Sequence, residues 1–189
     1  MLRTKVLPKL DEPVRATPAL EGSLPELLKA VRDYGFEGLI AKRRDSLYEA
    51  GQRSGSWRKM RVTQGQEFVI GGYTRPGGSR EIFGALLVGY HRPDGKLAYA
   101  GRVGTGFDRA TLRSLGRRMH QLEQQRAPFA DLPGTTKIRG VHWLKPELVA
   151  QVEFNNWTKD GLLRQAAFQG LRDDKPPRAI VRERAVNAT

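Results

Sequence analysis

Cysteine is absent from the 189-residue chain, which removes disulfide scaffolds, thiolate-ligated zinc and thiol nucleophiles together. Histidine is scarce: the three present, His91, His120 and His142, are scattered without a metal-ligand spacing. No apolar run approaches the ~20 residues that span a bilayer, and the first residues lack a signal-peptide core, so the expectation is a cytoplasmic protein with no membrane partner. No internal repeat or low-complexity segment is visible. Negative charge is in short supply. Against 33 Lys and Arg stand 20 Asp and Glu, a formal charge of +13, which favours a polyanionic partner bound with strong salt dependence. A merely soluble basic protein is the bland alternative.

The length suits one ordinary domain, or one small domain plus a fragment. Prolines at 8, 13 and 18 among alternating charges make residues 1–22 an extended lead-in. Ser23-Leu24-Pro25-Glu26 fits a capping box with proline in the first turn, opening a helix with Leu24, Leu27, Leu28 and Val31 on one side and Gly35 as its stop. Residues 36–43 and 56–62 read as short strands flanking a polar stretch at 45–55.

From about residue 64 the texture changes to repeated short strands, with candidates at 67–73, 82–90 and 97–103 forming a meander. Pro93-Asp94-Gly95 supplies the second turn. Asp108 reads as an N-cap, Phe107 as a staple against Leu112, and Leu112, Leu115, Met119 and Leu122 as one core-facing stripe reaching about Gln124. After a loop over 127–140, strands return at 141–144 and 148–154. The fold class expected is mainly β with α. A Greek-key β-barrel with one helix, of the OB type, is the architecture that suits this order, although periodicity alone specifies only the barrel and helix.

Three clusters carry candidate chemistry. Glu37 and Lys42 are five apart, which puts them on opposite faces of a regular strand. A carboxylate near nucleotide phosphates acts through a divalent metal; taken alone, Glu37 reads more readily as a solvated strand-end glutamate. Lys59 and Arg61 share a strand face with Trp57, with Met60 opposite, and two cations side by side suit a phosphate as well as they suit solvent. Residues 37–61 hold seven basic side chains against three acidic ones, the strongest anion-facing patch of this segment. Arg172, Asp174 and Lys175 lie within four residues, where Asp174 could orient one cation while the others meet phosphates, and Pro176-Pro177 stiffens the exit. The glycines at 101, 104 and 106 lack the Walker lysine and read as a tight strand-to-helix connection.

In order, Glu37-Gly38-Leu39-Ile40-Ala41-Lys42, Trp57-Arg58-Lys59-Met60-Arg61 and Arg172-Asp173-Asp174-Lys175 resemble motifs IV, V and VI of the covalent nucleotidyltransferases that include ATP-dependent DNA ligases. Phe68-Val69-Ile70-Gly71-Gly72-Tyr73-Thr74, Phe83-Gly84-Ala85-Leu86-Leu87, Gly101-Arg102-Val103-Gly104-Thr105-Gly106-Phe107 and Trp157-Thr158-Lys159-Asp160-Gly161 are similar to the ligase D family of bacterial non-homologous end joining. The resemblance covers about residues 30–182. It implies a nucleotidyltransferase remnant, incomplete and α+β, over 1–63, and an OB-fold ligase domain over 64–189.

The activity it implies has three steps: lysyl-AMP formation from ATP, transfer of AMP to a DNA 5′-phosphate, and displacement of AMP by a 3′-hydroxyl. Glu37 would bind Mg2+ or Mn2+. Lys42, Lys59 and Arg61 would contact the nucleotide, and Arg172, Asp174 and Lys175 would orient the pyrophosphate for departure. Arg61 stands where the family often has lysine, which keeps the charge and changes its geometry.

The family's Lys-x-Asp-Gly or Lys-x-Asn-Gly nucleophile motif should lie well over a hundred residues before motif IV, yet 36 residues precede Glu37, and Lys159-Asp160-Gly161 falls on the wrong side. The expectation is therefore the C-terminal portion of a ligase, inactive alone and binding neither ATP nor metal tightly. It would bind nicked or broken DNA, in a nucleoid-associated bacterial setting, with a separate adenylating fragment or a second copy covering its incomplete sheet. Phe36, Leu39, Ile40 and Trp57 would otherwise face solvent. The alternatives are a stand-alone OB-fold DNA-binding module and a decayed gene product.

Overall fold

The computed structural model describes residues 5, 6, 9, 19–77, 82–132 and 140–183. The lead-in expected over 1–22 therefore lies mostly outside the described residues. Helix α1 spans Leu24–Asp33. The Glu26 carboxylate accepts the Ser23 backbone N–H at 2.9 Å and its hydroxyl at 2.7 Å, satisfying a donor that a helix start leaves exposed. Tyr34 caps the other end, and Gly35 follows at φ 66°. Strands β1 (Gly38–Lys42) and β2 (Trp57–Arg61) then form a two-stranded antiparallel hairpin.

The barrel begins at once with β3 (Gln64–Thr74), followed by β4 (Leu86–His91) and β5 (Leu97–Val103). Helix α2 (Arg109–Gln121) comes next, then β6 (Glu123–Gln124), β7 (Val141–Phe154), β8 (Asn156–Trp157), β9 (Leu163–Arg164) and β10 (Ala167–Leu171). The main sheet runs β10-β7-β3-β4-β5, every neighbour antiparallel. Because β7 returns to lie beside β3 after the β3-β4-β5 meander, the connection is a Greek key. Thr105 bridges Ala167, and the Phe168 N–H donates to the Thr105 carbonyl at 2.9 Å, closing the sheet on itself. Gly106 makes that closure possible. Its φ is +91°, and a Cβ there would lie 2.1 Å from the Phe168 carbonyl oxygen, so the 101–106 connection is a backbone-on-backbone seam.

Alternation fills the interior. Phe68, Ile70, Leu86, Val88, Ala100, Val103, Leu144, Leu148, Ala150, Val152, Phe154 and Phe168 form the core, and Leu115 and Met119 of α2 plug one end. Asp108 accepts the Thr111 N–H at 2.7 Å as the expected N-cap, and Phe107 and Leu112 both lie against the core. The outer face of the same strands carries a second apolar cluster of Val69, Leu87, Leu97, Tyr99 and Val149, covered by Phe129 and Ile180. Strand β3 is thus buried on both faces, which explains its unbroken Phe68-Val69-Ile70 run.

Several sequence boundaries are corrected. The strands expected at 141–144 and 148–154 are one strand, because β3 pairs Ile70 with Leu148 and then Gly72 with Trp143. Residues 144–147 have no β3 partner between those pairs, with Leu144 turned into the core and paired with Glu123. Pro146, which has no N–H to donate, sits where no β3 partner is needed. Strand β4 starts at Leu86 rather than at residue 82, and α2 ends at Gln121 because Glu123 and Gln124 pair with Leu144 and Trp143. The described part of the loop expected over 127–140 is not free: Phe129 bridges Leu97 and Asp131 accepts the Tyr99 N–H at 3.2 Å. The stretch 164–175 divides between β9, β10 and a turn.

Candidate nucleotide and phosphate site

On the hairpin, the register sets Ile40 opposite Lys59, Lys42 opposite Trp57 and Gly38 opposite Arg61. Lys42, Trp57, Lys59 and Arg61 consequently share one face, with Met60 half-buried on the other. Lys42 Nζ lies 4.2 Å above the Trp57 ring, a cation–π contact. A groove of about 810 Å³ opens on this face, lined by Leu47, Tyr48, Arg53, Trp57, Lys59 and Arg61.

Glu37 is placed differently from the regular-strand expectation. Strand β1 begins only at Gly38, whose φ is +155°, so the alternation does not extend back to Glu37. Its carboxylate reaches across the hairpin to Lys59 at 2.6 Å, on the Lys42 face rather than opposite it. The Lys59 hydrogen bond and charge hold Glu37 below the usual carboxylate range, with smaller help from Arg61 and Arg164. Both partners are about two-fifths exposed. An ion pair in that setting is screened by solvent and weak enough for a phosphate to take Lys59 from Glu37. Arg61 has no ion-pair partner among the described residues.

The second constellation is built on the barrel wall. Arg172 donates to Asp174 through Nε at 2.9 Å and Nη2 at 2.8 Å, and through Nη1 to Glu67 at 2.8 Å and Gln151 at 3.4 Å. Lys175 Nζ stands 3.9 Å from the same Glu67 carboxylate. Arg172 holds the Asp174 carboxyl down at about 2. Neighbouring Asp173 is tied to α2 by Arg118, at 2.7 Å. Asp174 therefore does orient a cation, namely Arg172, and the fork geometry is the bidentate one that suits carboxylate and phosphate alike. Lys175 is the less encumbered of the two cations.

The structure brings Glu37, Lys42, Lys59 and Arg61 together, and separately Arg172, Asp174 and Lys175. A second cleft lies beside the Arg172 clasp, lined by Arg118, Val149, Arg172, Asp174 and Lys175, and it shares no lining residue with the hairpin groove. Sequence reasoning missed Glu67 and Gln151, which clasp Arg172 from 105 and 21 positions away, and Arg118, 55 positions from Asp173. A glutamate beside the apolar 68–70 run was the one visible signal. It also missed that two of the scattered histidines converge. His120 and His142 approach one Glu123 oxygen at 3.2 and 3.4 Å, with the Tyr73 hydroxyl donating to the same atom. Among the described residues no group of three or more His, Cys, Asp or Glu is arranged to hold a metal ion, and no helix is long and apolar enough to cross a membrane.

The family model for the ATP dependent DNA ligase C terminal region matches residues 79–175, more than half of the chain, and ends on the last residue of the Arg172–Lys175 cluster. The chain belongs to this ligase family. The multifunctional non-homologous end joining protein LigD of Pseudomonas aeruginosa is 40% identical over 176 residues, covering 92% of this chain and 21% of that protein. The non-homologous end joining DNA repair protein LigD of Mycobacterium tuberculosis is 42% identical over 166 residues, covering 87% of this chain and 22% of that protein. The crystal structure of the ligase domain from M. tuberculosis LigD superposes with a TM-score of 0.62 at 41% identity, over 87% of this chain and 53% of that one. The ligase C-terminal chain thus spans about a fifth of the length of these curated relatives and about half of the ligase domain.

Proposed function

We propose that this chain is the part of an ATP-dependent, end-joining DNA ligase that holds DNA and orients the pyrophosphate of ATP. We take residues 1–63 as the end of the nucleotidyltransferase unit and 64–189 as the OB-fold unit. The observation that carries the reading is the clasped Arg172 on the barrel wall, at the position where the ligase family match ends. A guanidinium already fixed by Asp174 and Glu67 is preorganised, so it meets an incoming phosphate without first losing rotamer freedom. Lys175 supplies the second charge. On the hairpin, Lys59 and Arg61 face an open groove where a nucleotide phosphate would replace the weak Glu37 contact, with Lys42 beside them.

Mg2+ is held by one or two carboxylates together with phosphate oxygens and water, and it would neutralise charge on the phosphates. Glu37 fits that role as a single carboxylate, released for it when Lys59 turns to a phosphate. The lysine that takes AMP comes from outside these 189 residues, since no Lys-x-Asp-Gly or Lys-x-Asn-Gly precedes Glu37. An adenylating half of the ligase domain, covering the exposed side of the hairpin, is the partner this implies.

The test mixes the chain with a separately expressed adenylating fragment, labelled ATP, Mg2+ and a nicked duplex. Sealing is expected only in the mixture, and it should fall at least tenfold with Arg172→Ala or Lys175→Ala. Duplex binding without any restored sealing would leave the DNA-binding module reading in place. A covalent adenylate on this chain alone would overturn the need for a second fragment.

A further inference from the structure

Helix α2 carries a feature that neither candidate cleft uses. Arg109, Arg113 and Arg117 stand at i, i+4 and i+8, all exposed, so their side chains stack about 6 Å apart along one line at 1.5 Å rise per residue. The helix contains no Asp or Glu at all. Like charges at i, i+4 disfavour an isolated helix, and Arg109 in the first turn also opposes the helix dipole. Local helix energetics therefore argue against this stripe.

Some exposed cations elsewhere are paired, Lys29 with Asp33, Arg43 with Asp45 and Lys59 with Glu37, while others, Arg61 among them, are not paired among the described residues. On α2 itself, Arg118 is paired with Asp173. Among the described residues the three stripe arginines have no such partner. They also stand on a rigid platform, since Leu115 and Met119 on the other side of the helix are fully buried in the barrel. A shallow groove of about 650 Å³ runs beside them, lined by Ile82, Arg113, Gly116, Arg117 and His120. Among the described residues Ile82 is the one large apolar side chain lining this groove, and three guanidiniums at one-turn spacing suit the evenly spaced phosphates of a polyanion.

We propose that Arg109, Arg113 and Arg117 form a phosphate-contact surface for the backbone of duplex DNA, separate from both clefts. This rests on the reading that the chain binds DNA. Arg118 would carry the consequence further, because it joins the same helix to Asp173 beside the Arg172 clasp. DNA seated on α2 would then fix the outer wall against which that clasp is held.

The experiment measures binding of the chain to a fluorescent nicked duplex between about 50 and about 200 mM salt. Replacing all three arginines by glutamine should make the slope of log K against log salt shallower by about 2.7, which is about 40-fold less affinity loss across that range. Arg113→Gln alone should change it by about 0.9, and the triple lysine variant should keep the wild-type slope. The glutamine variant should melt no lower than wild type, because repulsion is removed. An unchanged slope in a wild-type chain that binds DNA overturns the stripe proposal and leaves DNA binding intact, the arginines then facing solvent or an acidic protein. A wild-type chain with no measurable affinity for the duplex overturns the DNA-binding reading itself.

Discussion

The segment ahead of the barrel and the barrel itself are made of similar residues but stand in opposite relation to water. In the barrel, Phe68, Phe83, Phe154, Leu86 and Leu144 are fully buried. Ahead of it, Tyr34, Phe36, Ile40, Leu47, Tyr48 and Trp57 are all exposed, with Trp57 at 60% and Tyr48 at 87%, and among the described residues Val31 and Val62 are the buried apolar ones. The difference lies in how many neighbours each strand has. Strand β3 is paired on both edges and covered on both faces, whereas β1 and β2 pair only with each other. A two-stranded ribbon cannot bury a face by itself. The apolar hairpin side chains are therefore left exposed, and the same openness leaves Lys59 and Arg61 reachable from solution.

The largest effect that would test this contrast is a paired truncation. Phe68→Ala should cost about 3–5 kcal/mol in chemical denaturation, while Trp57→Ala should stay within about 0.5 kcal/mol; comparable losses would mean the hairpin is packed in solution. Hydrogen exchange should next find the amides of β3, β4 and β7 protected roughly 100-fold or more above those of β1 and β2, on the order of 3 kcal/mol. Equal protection in a demonstrated monomer would break the comparison, and protection that appears only with a partner would identify what covers the hairpin.

Smaller changes sharpen it. Asp108→Ala removes the α2 cap and should lower stability by about 1 kcal/mol, as seen in the denaturation midpoint. At the edge of the barrel, Asp174 is depressed from the ordinary 3.8 to about 2 by Arg172. A depressed carboxylate contributes stability above its unfolded value and loses it as pH falls toward the folded one. The Arg172–Asp174 pair should thus hold at neutral pH and weaken between about pH 4 and pH 2. Carbon-detected NMR titration of the Asp174 carboxyl checks this, and Arg172→Gln should return it to the ordinary range.

Much of the fold was legible because its signals are local. The capping pattern at Ser23 and Glu26, the N-cap at Asp108 and the turn at 93–95 each involve residues a few positions apart, and the structure has them all. In the sequence Lys145-Pro146-Glu147 reads locally as a break within Val141–Phe154. Only the strand's pairing with β3 makes those residues a bulge. Glu37 was assigned a face by alternation that starts one residue too late for it.

Of the candidate site, the sequence by itself determined the inventory: which cations and carboxylates exist, in which order, and that Lys59 and Arg61 share a strand face. Tertiary structure decided the partnerships. Arg172 is held by Glu67 and Gln151 because β3, β7 and the turn after β10 meet in one register, with Glu67 opposite Gln151 and Arg172 bonded to the Val149 carbonyl. His120 and His142 meet at Glu123 because β6 folds back on β7. Periodicity fixes where a side chain points relative to its neighbours along the chain, and only strand register brings it against a residue a hundred positions away.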